Sequence, residues 1–316
     1  MLKKVEKDFR PAQEDQPRAE YVAQHVAPPA HPIVEPLMPD ALALACENQG
    51  LKKANQPLTT QFMLGILGGA FVGIGGMFAM ITASGAEGML SYGLTRLLMG
   101  ITFSLGLLLV VLAGAQLFTS DCLMVMAWAS KRLSLGRAMR VWATVWAGNF
   151  VGSIALAFLL FMAGNYLSGK GEVGATALLF ASYKASLPAG KAFFMGIMCN
   201  VLVSLAAYLA LAGRSLTDKV LGIVFPISAF IAAGFEHCVA NMFFIPYGLL
   251  IKFGASEAFW ATEAGQRVAA LNIPLDQFAI NMAAVTFGNW VGGGLLVGAF
   301  YWLIYIRPRI MSNVKV

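Results

Sequence analysis

Charged residues are scarce in this chain. Asp, Glu, Lys and Arg together make up 12% of its 316 residues, whereas hydrophobic residues make up 58%. A typical soluble domain contains about 25% charged residues. The chain has only four cysteines, and their spacing does not predict a set of extracellular disulfides. The composition therefore argues against a soluble protein and predicts one that lies mostly within a lipid bilayer.

Histidine is almost absent from the apolar part of the chain. His25 and His31 lie near the N-terminus, and His237 is the one histidine within the long apolar runs. A membrane redox enzyme would usually show paired histidines for haem or a cluster of cysteines. The motif Asn-Pro-Ala is also missing, which disfavours a water or glycerol channel. The sequence thus predicts no enzymatic activity and no bound cofactor or metal.

Six apolar runs account for most of the remaining sequence. They cover residues 62–82, 97–129, 141–167, 192–212, 220–251 and 278–306. A membrane-spanning helix needs about 20 apolar residues, so the second and fifth runs are too long for one straight crossing. We therefore predict an all-α integral membrane protein with six transmembrane helices, of which the second and fifth are broken.

The distribution of Lys and Arg predicts the orientation. With both termini inside, the inner segments include Lys131, Arg132, Arg137 and Arg140, and the outer segments carry fewer basic residues. Cytoplasmic loops are enriched in Lys and Arg. We therefore predict a multi-pass protein of the cell (inner) membrane with cytoplasmic N- and C-termini. The net charge of +6 follows from this topology, so no nucleic-acid partner is expected.

The ends of the chain differ in composition from the apolar part. Residues 1–57 are predicted to form a cytoplasmic tail rich in Pro and Ala, with an extended linker at 27–32 and a short amphipathic helix starting near 39–46. No cleavable signal peptide is expected. Residues 58–307 are the predicted channel domain, and 308–316 are a short cytoplasmic C-terminal tail. The N-terminal tail is a candidate binding segment for a cytoplasmic partner.

Two polar segments interrupt the second and fifth apolar runs. Each begins with glycine and brings charged or titratable side chains to membrane depth, at residues 114–121 and 234–241. A charged residue at the centre of a membrane helix costs roughly 2.5–3.5 kcal/mol. Irregular backbone at that depth persists only where protein or a water-filled cavity satisfies it. Two such breaks indicate a transport site and would be unnecessary in a scaffold or receptor.

A short motif recurs in the third and sixth runs. Gly-Asn-Phe-Val-Gly occupies residues 148–152, and Gly-Asn-Trp-Val-Gly occupies 288–292. Each copy follows one of the two breaks, so the chain reads as two three-helix repeats. Because three crossings is an odd number, the second repeat must be inverted relative to the first. Asn149 and Asn289 are polar groups inside the membrane and should therefore have partners.

Together these segments resemble the formate/nitrite transporter family, and especially its formate channels. The resemblance covers residues 57–307. It rests on residues 100–107, 114–120, 213–216, 234–237 and 288–292, together with Asn200, Phe230, Asn241 and Met242. The resemblance implies an aquaporin-like fold, a homopentamer in the lipid bilayer, and one pore in each protomer for formate or a similar small anion.

The resemblance also implies roles for individual residues. Leu117, Phe118 and Thr119 match an Ω-shaped loop, and His237 matches a histidine at the second break. Apolar constrictions correspond to Leu107 and Phe230, with Phe103 beside the pore. Asn200 and Asn289 match asparagines that support the pore, and Lys184 matches a basic residue near the outer vestibule.

Two residues depart from the family pattern. Gln116 stands where an acid commonly precedes Leu-Phe-Thr, and Asp121 is an acid where the formate channels are usually neutral. Asp121 is an intramembrane carboxylate with no cation near it in sequence, so we expect it to be partnered or to face a cavity. Glu236, also a candidate pore residue, is expected to be a structural acid at a helix terminus or loop rather than one that lines the pore.

The chemistry of passage follows from energetics. A bare anion loses tens of kcal/mol of solvation in the Born limit when it passes an apolar ring. Protonating a carboxylate of pKa about 4 at pH 7 costs only about 4 kcal/mol. We therefore expect proton-coupled passage assisted by His237 and Thr119, after Lys184 has attracted the anion. Passage of the intact anion past a cationic His237 stays open, as do nitrite and hydrosulfide as main substrates.

Overall fold

The computed structural model describes residues 35–313, and in this range every regular element is helical. Residues 37–313 belong to one compact unit. The predicted linker at 27–32, the two N-terminal histidines and residues 314–316 lie outside the described residues.

Among residues 35–313, six helices are long and apolar enough to cross a membrane, which confirms the predicted number. They are α2 (Leu58–Ala83), α3 (Tyr92–Leu112), α5 (Leu135–Met162), α7 (Ala189–Ala212), α8 (Leu216–Ala233) and α12 (Leu275–Met311). The other α-helices are α1 (Pro39–Ala54), α4 (Phe118–Ala129), α6 (Glu172–Ala185), α9 (Cys238–Gly254), α10 (Glu257–Trp260) and α11 (Glu263–Val268), and a short 3₁₀ helix spans Asn165–Leu167. Helix α12 widens to π-helical geometry at Val291–Ala299 and Trp302–Ile306.

The helix bounds differ from the apolar runs because polar residues cap several helices. Helix α5 starts at Leu135, six residues before the predicted run, since the Ser134 hydroxyl accepts a hydrogen bond from the Arg137 backbone N–H. Each of the two longest runs holds two helices. Between them lies a non-helical stretch in which Gly114 and Gly234 adopt left-handed φ angles of 86° and 76°, which favour glycine.

Glycines bring the backbones of neighbouring helices together in two places. A Cβ added to Gly152 of α5 would lie 1.9 Å from the Ile66 carbonyl oxygen of α2. A Cβ added to Gly292 in α12 would lie 2.2 Å from the Ile197 carbonyl oxygen of α7. A side chain at either position would therefore push the helices apart. Small residues at such contacts allow membrane helices to pack closely, and both glycines belong to the recurring motif.

Helix α1 precedes the membrane helices and packs in the same compact unit. It buries Leu42, Ala43 and Cys46, and its Glu47 carboxylate accepts a hydrogen bond from Arg132 at 2.9 Å. Part of the segment predicted as a tail, up to residue 57, is therefore an ordered helix against the membrane part. The short helix expected to start near residues 39–46 runs on to Ala54.

Candidate functional site

Asn149 of α5 organises the first non-helical stretch. Its side-chain oxygen accepts a hydrogen bond from the Phe118 backbone N–H at 2.9 Å, at the start of α4. Its side-chain NH₂ donates to the Gly65 carbonyl of α2 at 2.7 Å and to the Gln116 carbonyl at 3.0 Å. One buried amide thus satisfies backbone groups that a membrane would otherwise leave unpaired.

Asn289 of α12 makes the same set of bonds at the second stretch. Its oxygen accepts from the Cys238 backbone N–H at 2.9 Å, at the start of α9. Its NH₂ donates to the Gly196 carbonyl at 2.8 Å and to the Glu236 carbonyl at 3.0 Å. The two stretches therefore match residue for residue.

This match assigns each residue just before the start of α4 to an equivalent residue just before the start of α9. Gln116 corresponds to Glu236, and Leu117 corresponds to His237. Leu117 and His237 are the N-cap residues of α4 and α9, respectively. The same type of backbone position therefore carries an apolar side chain in one stretch and a titratable side chain in the other.

The two stretches meet at a buried histidine–threonine pair. The Nε2 atom of His237 lies 3.0 Å from the Thr119 hydroxyl oxygen, and both residues are almost fully buried. The Nδ1 atom of His237 accepts a hydrogen bond from the Ala240 backbone N–H at 3.1 Å. Because a neutral imidazole has one donor and one acceptor nitrogen, its proton lies on Nε2. His237 therefore donates to Thr119, and the Thr119 hydroxyl hydrogen is free to bind another acceptor.

Asn200 of α7 binds the backbone of Thr119. Its side-chain NH₂ donates to the Thr119 carbonyl at 3.1 Å and to the Asn289 carbonyl at 2.6 Å. Asn200 and Asn289 are fully buried. Both predicted supporting asparagines therefore contact the backbone that positions Thr119 and His237.

Apolar side chains surround this pair. The rings of Phe103 and Phe230 pack edge to face with centroids 5.6 Å apart, and the Phe230 ring lies 6.0 Å from the imidazole of His237. Leu107, one helical turn after Phe103, is buried in the same core. Of the predicted loop residues, Leu117 and Phe118 are also buried. The structure thus brings Phe230 next to the histidine and Phe103 next to Phe230.

Lys184 and Glu236 belong to a closed polar network. The Lys184 ammonium donates to Glu236 Oε1 at 2.8 Å, and the Asn241 NH₂ donates to Glu236 Oε2 at 2.7 Å. The same NH₂ donates to the Asn281 side-chain oxygen at 2.8 Å, and Asn281 donates to the Lys184 carbonyl at 2.9 Å. Sequence reasoning did not assign Asn241 and Asn281 to the site, although both are amides within apolar runs.

Asp121 has the partner that its position demands. The Lys53 ammonium of α1 lies 2.6 Å from Asp121 Oδ1, and the Asp121 side chain is fully buried. Next to this ion pair, the Gln116 amide donates to the side-chain oxygen of Gln56 at 2.8 Å. Sequence inspection could not identify Lys53, because it lies 68 residues before Asp121.

Two cavities lie at opposite ends of α3 and α7. The Lys184 vestibule, of about 680 Å³, is lined at the N-terminal ends of these helices by Tyr92, Arg96, Lys191 and Met195, and also by Lys184 and Glu236. The Lys53 cavity, of about 220 Å³, is lined at their C-terminal ends by Val110, Val111 and Leu211, and also by Lys53, Gln116 and Asp121. The histidine–threonine pair and the aromatic rings lie in the middle part of the bundle, where the two non-helical stretches meet.

Residues 35–313 contain no group of three or more His, Cys, Asp and Glu side chains placed to hold a metal ion. The four cysteines are free and buried. Burial among apolar neighbours suits a thiol that acts as a small hydrophobic group.

Six membrane helices, two non-helical stretches that meet at a buried polar pair, and a cavity at either end define a multi-pass membrane protein of the channel or transporter class. Residues 40–303 match the model of the formate/nitrite transporter family. The chain belongs to this family.

Known relatives agree with this assignment. The chain is 40% identical to the formate channel FocA of Escherichia coli over 86% of its own length and 96% of that protein. It is 35% identical to a probable formate transporter of Methanothermobacter thermautotrophicus, over 85% of this chain and 97% of that protein. A solved structure of a pentameric formate channel with formate bound superposes with a TM-score of 0.72 and 42% identity, over 79% of this chain and 98% of that chain. These relatives are channels and transporters and not enzymes.

Proposed function

We propose that this protein is a channel for formate and related small monovalent anions, and that substrate passes the constriction as a proton-coupled species assisted by His237. The observation that carries the proposal is the bond between His237 Nε2 and Thr119 at 3.0 Å, beside the Phe230 ring, which itself packs against Phe103. The formate-binding relative supports the choice of substrate.

The apolar enclosure favours a neutral substrate at the constriction. A bare carboxylate would exchange water for the rings of Phe103 and Phe230, a loss of tens of kcal/mol in the Born limit. The neutral acid requires about 4 kcal/mol at pH 7 for a carboxylic acid of pKa about 4, at 1.36 kcal/mol per pH unit. Formic acid also accepts a hydrogen bond through its carbonyl oxygen, which the free Thr119 hydroxyl hydrogen can supply.

The hydrogen bond from the Ala240 backbone N–H to His237 Nδ1 caps helix α9. It disfavours the alternative in which an intact anion passes a cationic imidazole. In a cationic His237, Nδ1 would also carry a proton. That proton would point at the Ala240 backbone N–H, whose hydrogen bond Nδ1 now accepts, so two donors would face each other. The charge would also stand at the N-terminus of α9, where the helix dipole disfavours cations. We therefore propose that His237 is neutral at rest and assists passage by donating a hydrogen bond from Nε2 to the Thr119 hydroxyl, while the proton that neutralises the substrate comes from solution. His237 becomes cationic only when its bond to Ala240 opens.

The paired hydrogen-bond sets of Asn149 and Asn289 support a description as two inverted three-helix repeats. In this description α3 and α4 form one broken helix, α8 and α9 form the other, and the fold is aquaporin-like. The N-termini of α4 and α9 face each other at the site, an arrangement that transporters use to bind anions at the membrane midplane.

The assembly and orientation are part of the same proposal. The pentameric relative supports a homopentamer with one pore per protomer. The excess of basic residues at Lys131, Arg132, Arg137 and Arg140 supports cytoplasmic termini in the inner membrane of the cell. The Lys53 cavity would then face the cytoplasm, and the Lys184 vestibule would face outward.

The test is a comparison of formate, nitrite and hydrosulfide fluxes in proteoliposomes at fixed pH, with internal pH recorded in the same vesicles. The proposal expects formate uptake that carries protons and accelerates as the external pH falls, because the neutral fraction rises tenfold per pH unit. Faster nitrite or hydrosulfide flux would overturn the choice of substrate. Formate flux without proton movement would overturn the mechanism.

A further inference from the structure

Three cations line the Lys184 vestibule, and they differ in their partners. Lys184, Arg96 and Lys191 contribute positive charge, and Glu236 is the one carboxylate among the lining residues. Lys184 pairs with Glu236 at 2.8 Å, and its side chain is only 13% exposed. The charge of Lys184 is therefore largely cancelled within its own ion pair, so it contributes little to the potential that an approaching anion meets.

Arg96 keeps its net charge because its partners are carbonyl groups. Its guanidinium donates to the carbonyls of Ile231 and Ala232 at the end of α8. These carbonyls form the negative end of the α8 dipole, and Ile231 and Gly234 line the vestibule. Arg96 therefore offsets the partial negative charge, about half a unit, of a helix end that would otherwise repel an anion, and about half of its own positive charge is left over.

Lys191 is the third cation and is exposed in the first turn of α7. Among residues 35–313, no carboxylate forms an ion pair with Lys191 or with Arg96. A cleft lined by charge of one sign raises the local concentration of the opposite ion. The potential that attracts an anion into this vestibule therefore comes from these two side chains.

We propose that Arg96 and Lys191, and not Lys184, concentrate the small anionic substrate at the entrance of the channel. This inference rests on the proposed function and adds two residues to it. It also differs from the expectation that Lys184 attracts the anion, because the Lys184–Glu236 pair serves instead to hold the second non-helical stretch in place. Arg96 and Lys191 change how readily the substrate arrives, whereas the His237–Thr119 pair governs how it crosses.

The experiment measures formate uptake against concentration in proteoliposomes, at about 0.01 M and about 0.15 M ionic strength, between which the Debye length falls from about 30 Å to about 8 Å. We expect Arg96→Gln and Lys191→Gln each to raise the half-saturating concentration about threefold at low ionic strength, with the maximal rate unchanged. Salt should raise this concentration in the unmodified protein and hardly at all in the double variant.

Two further variants separate charge from structure. Lys170→Gln removes one cation from the loop between α5 and α6, outside the vestibule, and should leave the half-saturating concentration unchanged. Arg96→Lys keeps the charge but cannot reproduce the guanidinium contact with two carbonyls. Because the charge is kept, its half-saturating concentration should stay close to that of the unmodified protein. Size-exclusion elution of each variant checks that it is folded.

Three results would overturn the inference. The first is a half-saturating concentration in Arg96→Gln and Lys191→Gln equal to that in Lys170→Gln. The second is an Arg96→Lys variant with a half-saturating concentration as high as that of Arg96→Gln, and the third is a salt dependence in the double variant equal to that of the unmodified protein. Failure of the proposed substrate is distinguishable, because the same series is run with nitrite. Nitrite flux without formate flux refutes the substrate, and the ratios between variants still decide the role of the two cations.

Discussion

Replacing His237 tests the proposed mechanism most directly. In His237→Asn the new side chain can still cap α9, because asparagine is among the favoured N-cap residues. It is too short to replace the imidazole Nε2 that lies 3.0 Å from Thr119. In His237→Phe a ring of similar size remains beside Phe230, but both the cap and the bond to Thr119 are lost. The bond to Thr119 is therefore lost in both variants, whereas His237→Asn keeps the helix cap and His237→Phe keeps the ring packing.

The expected size of the effect follows from these contacts. Loss of the bond to Thr119 removes about 0.5–1.5 kcal/mol of net stabilisation. If the bond also stabilises the substrate at the barrier, the upper end of this range, about 1.4 kcal/mol, corresponds to a tenfold slower passage. Loss of the cap in His237→Phe should also cost about 1 kcal/mol of stability, which His237→Asn should largely retain. We expect proton-driven formate uptake to fall by up to about tenfold in both variants, and any remaining flux to be nearly independent of pH.

The assay records formate flux and internal pH in the same vesicles, with a pH gradient imposed across the membrane. Thermal unfolding of the purified variants provides the stability comparison, and size-exclusion chromatography shows whether the oligomer is intact. If either variant moves protons with formate in the same ratio as the unmodified protein, His237 has no part in coupling and is a buried structural histidine.

Three other changes test other parts of the molecule. Asp121→Asn should lower the free energy of unfolding by about 1–3 kcal/mol. This is less than the 3–5 kcal/mol expected for a fully buried pair, because Lys53 is 22% exposed. In a melting experiment the double change Lys53→Met with Asp121→Leu should recover much of the loss, and no recovery would argue against the ion pair. Phe230→Ala opens the aromatic contact and should admit acetate or lactate, so unchanged flux ratios would remove Phe230 from the constriction. Deletion of residues 1–38 keeps α1 and should leave a conducting oligomer, and dissociation on size-exclusion chromatography would contradict this.

Much of the architecture could be predicted from local patterns. A run of about 20 apolar residues has one stable form in a bilayer, because a helix satisfies its own backbone, and so six spans followed from hydropathy alone. The positions of Gly114 and Gly234 marked the ends of two helices, since glycine tolerates the left-handed backbone there. The family followed from motifs that remain close together in sequence.

The helix bounds were less predictable. Hydropathy placed the start of the third span at residue 141, whereas the structure starts α5 at Leu135, because the Ser134 hydroxyl caps a first turn that lies outside the apolar run. Similarly, α1 runs to Ala54 and packs on the membrane helices, although its polar composition favoured a tail. Capping and docking depend on single contacts, which average hydropathy does not register.

The sequence by itself determined which residues enter the membrane and that His237 is the one histidine among them. Only the tertiary structure decided what those residues contact. His237 meets Thr119 across 118 residues of chain, and Lys53 reaches Asp121 across 68. Apolar periodicity specifies that a helix is buried, but the rotation and depth of each helix against its neighbours arise from close packing at residues such as Gly152 and Gly292. Those packing contacts place a lysine beside one carboxylate and an imidazole beside one hydroxyl.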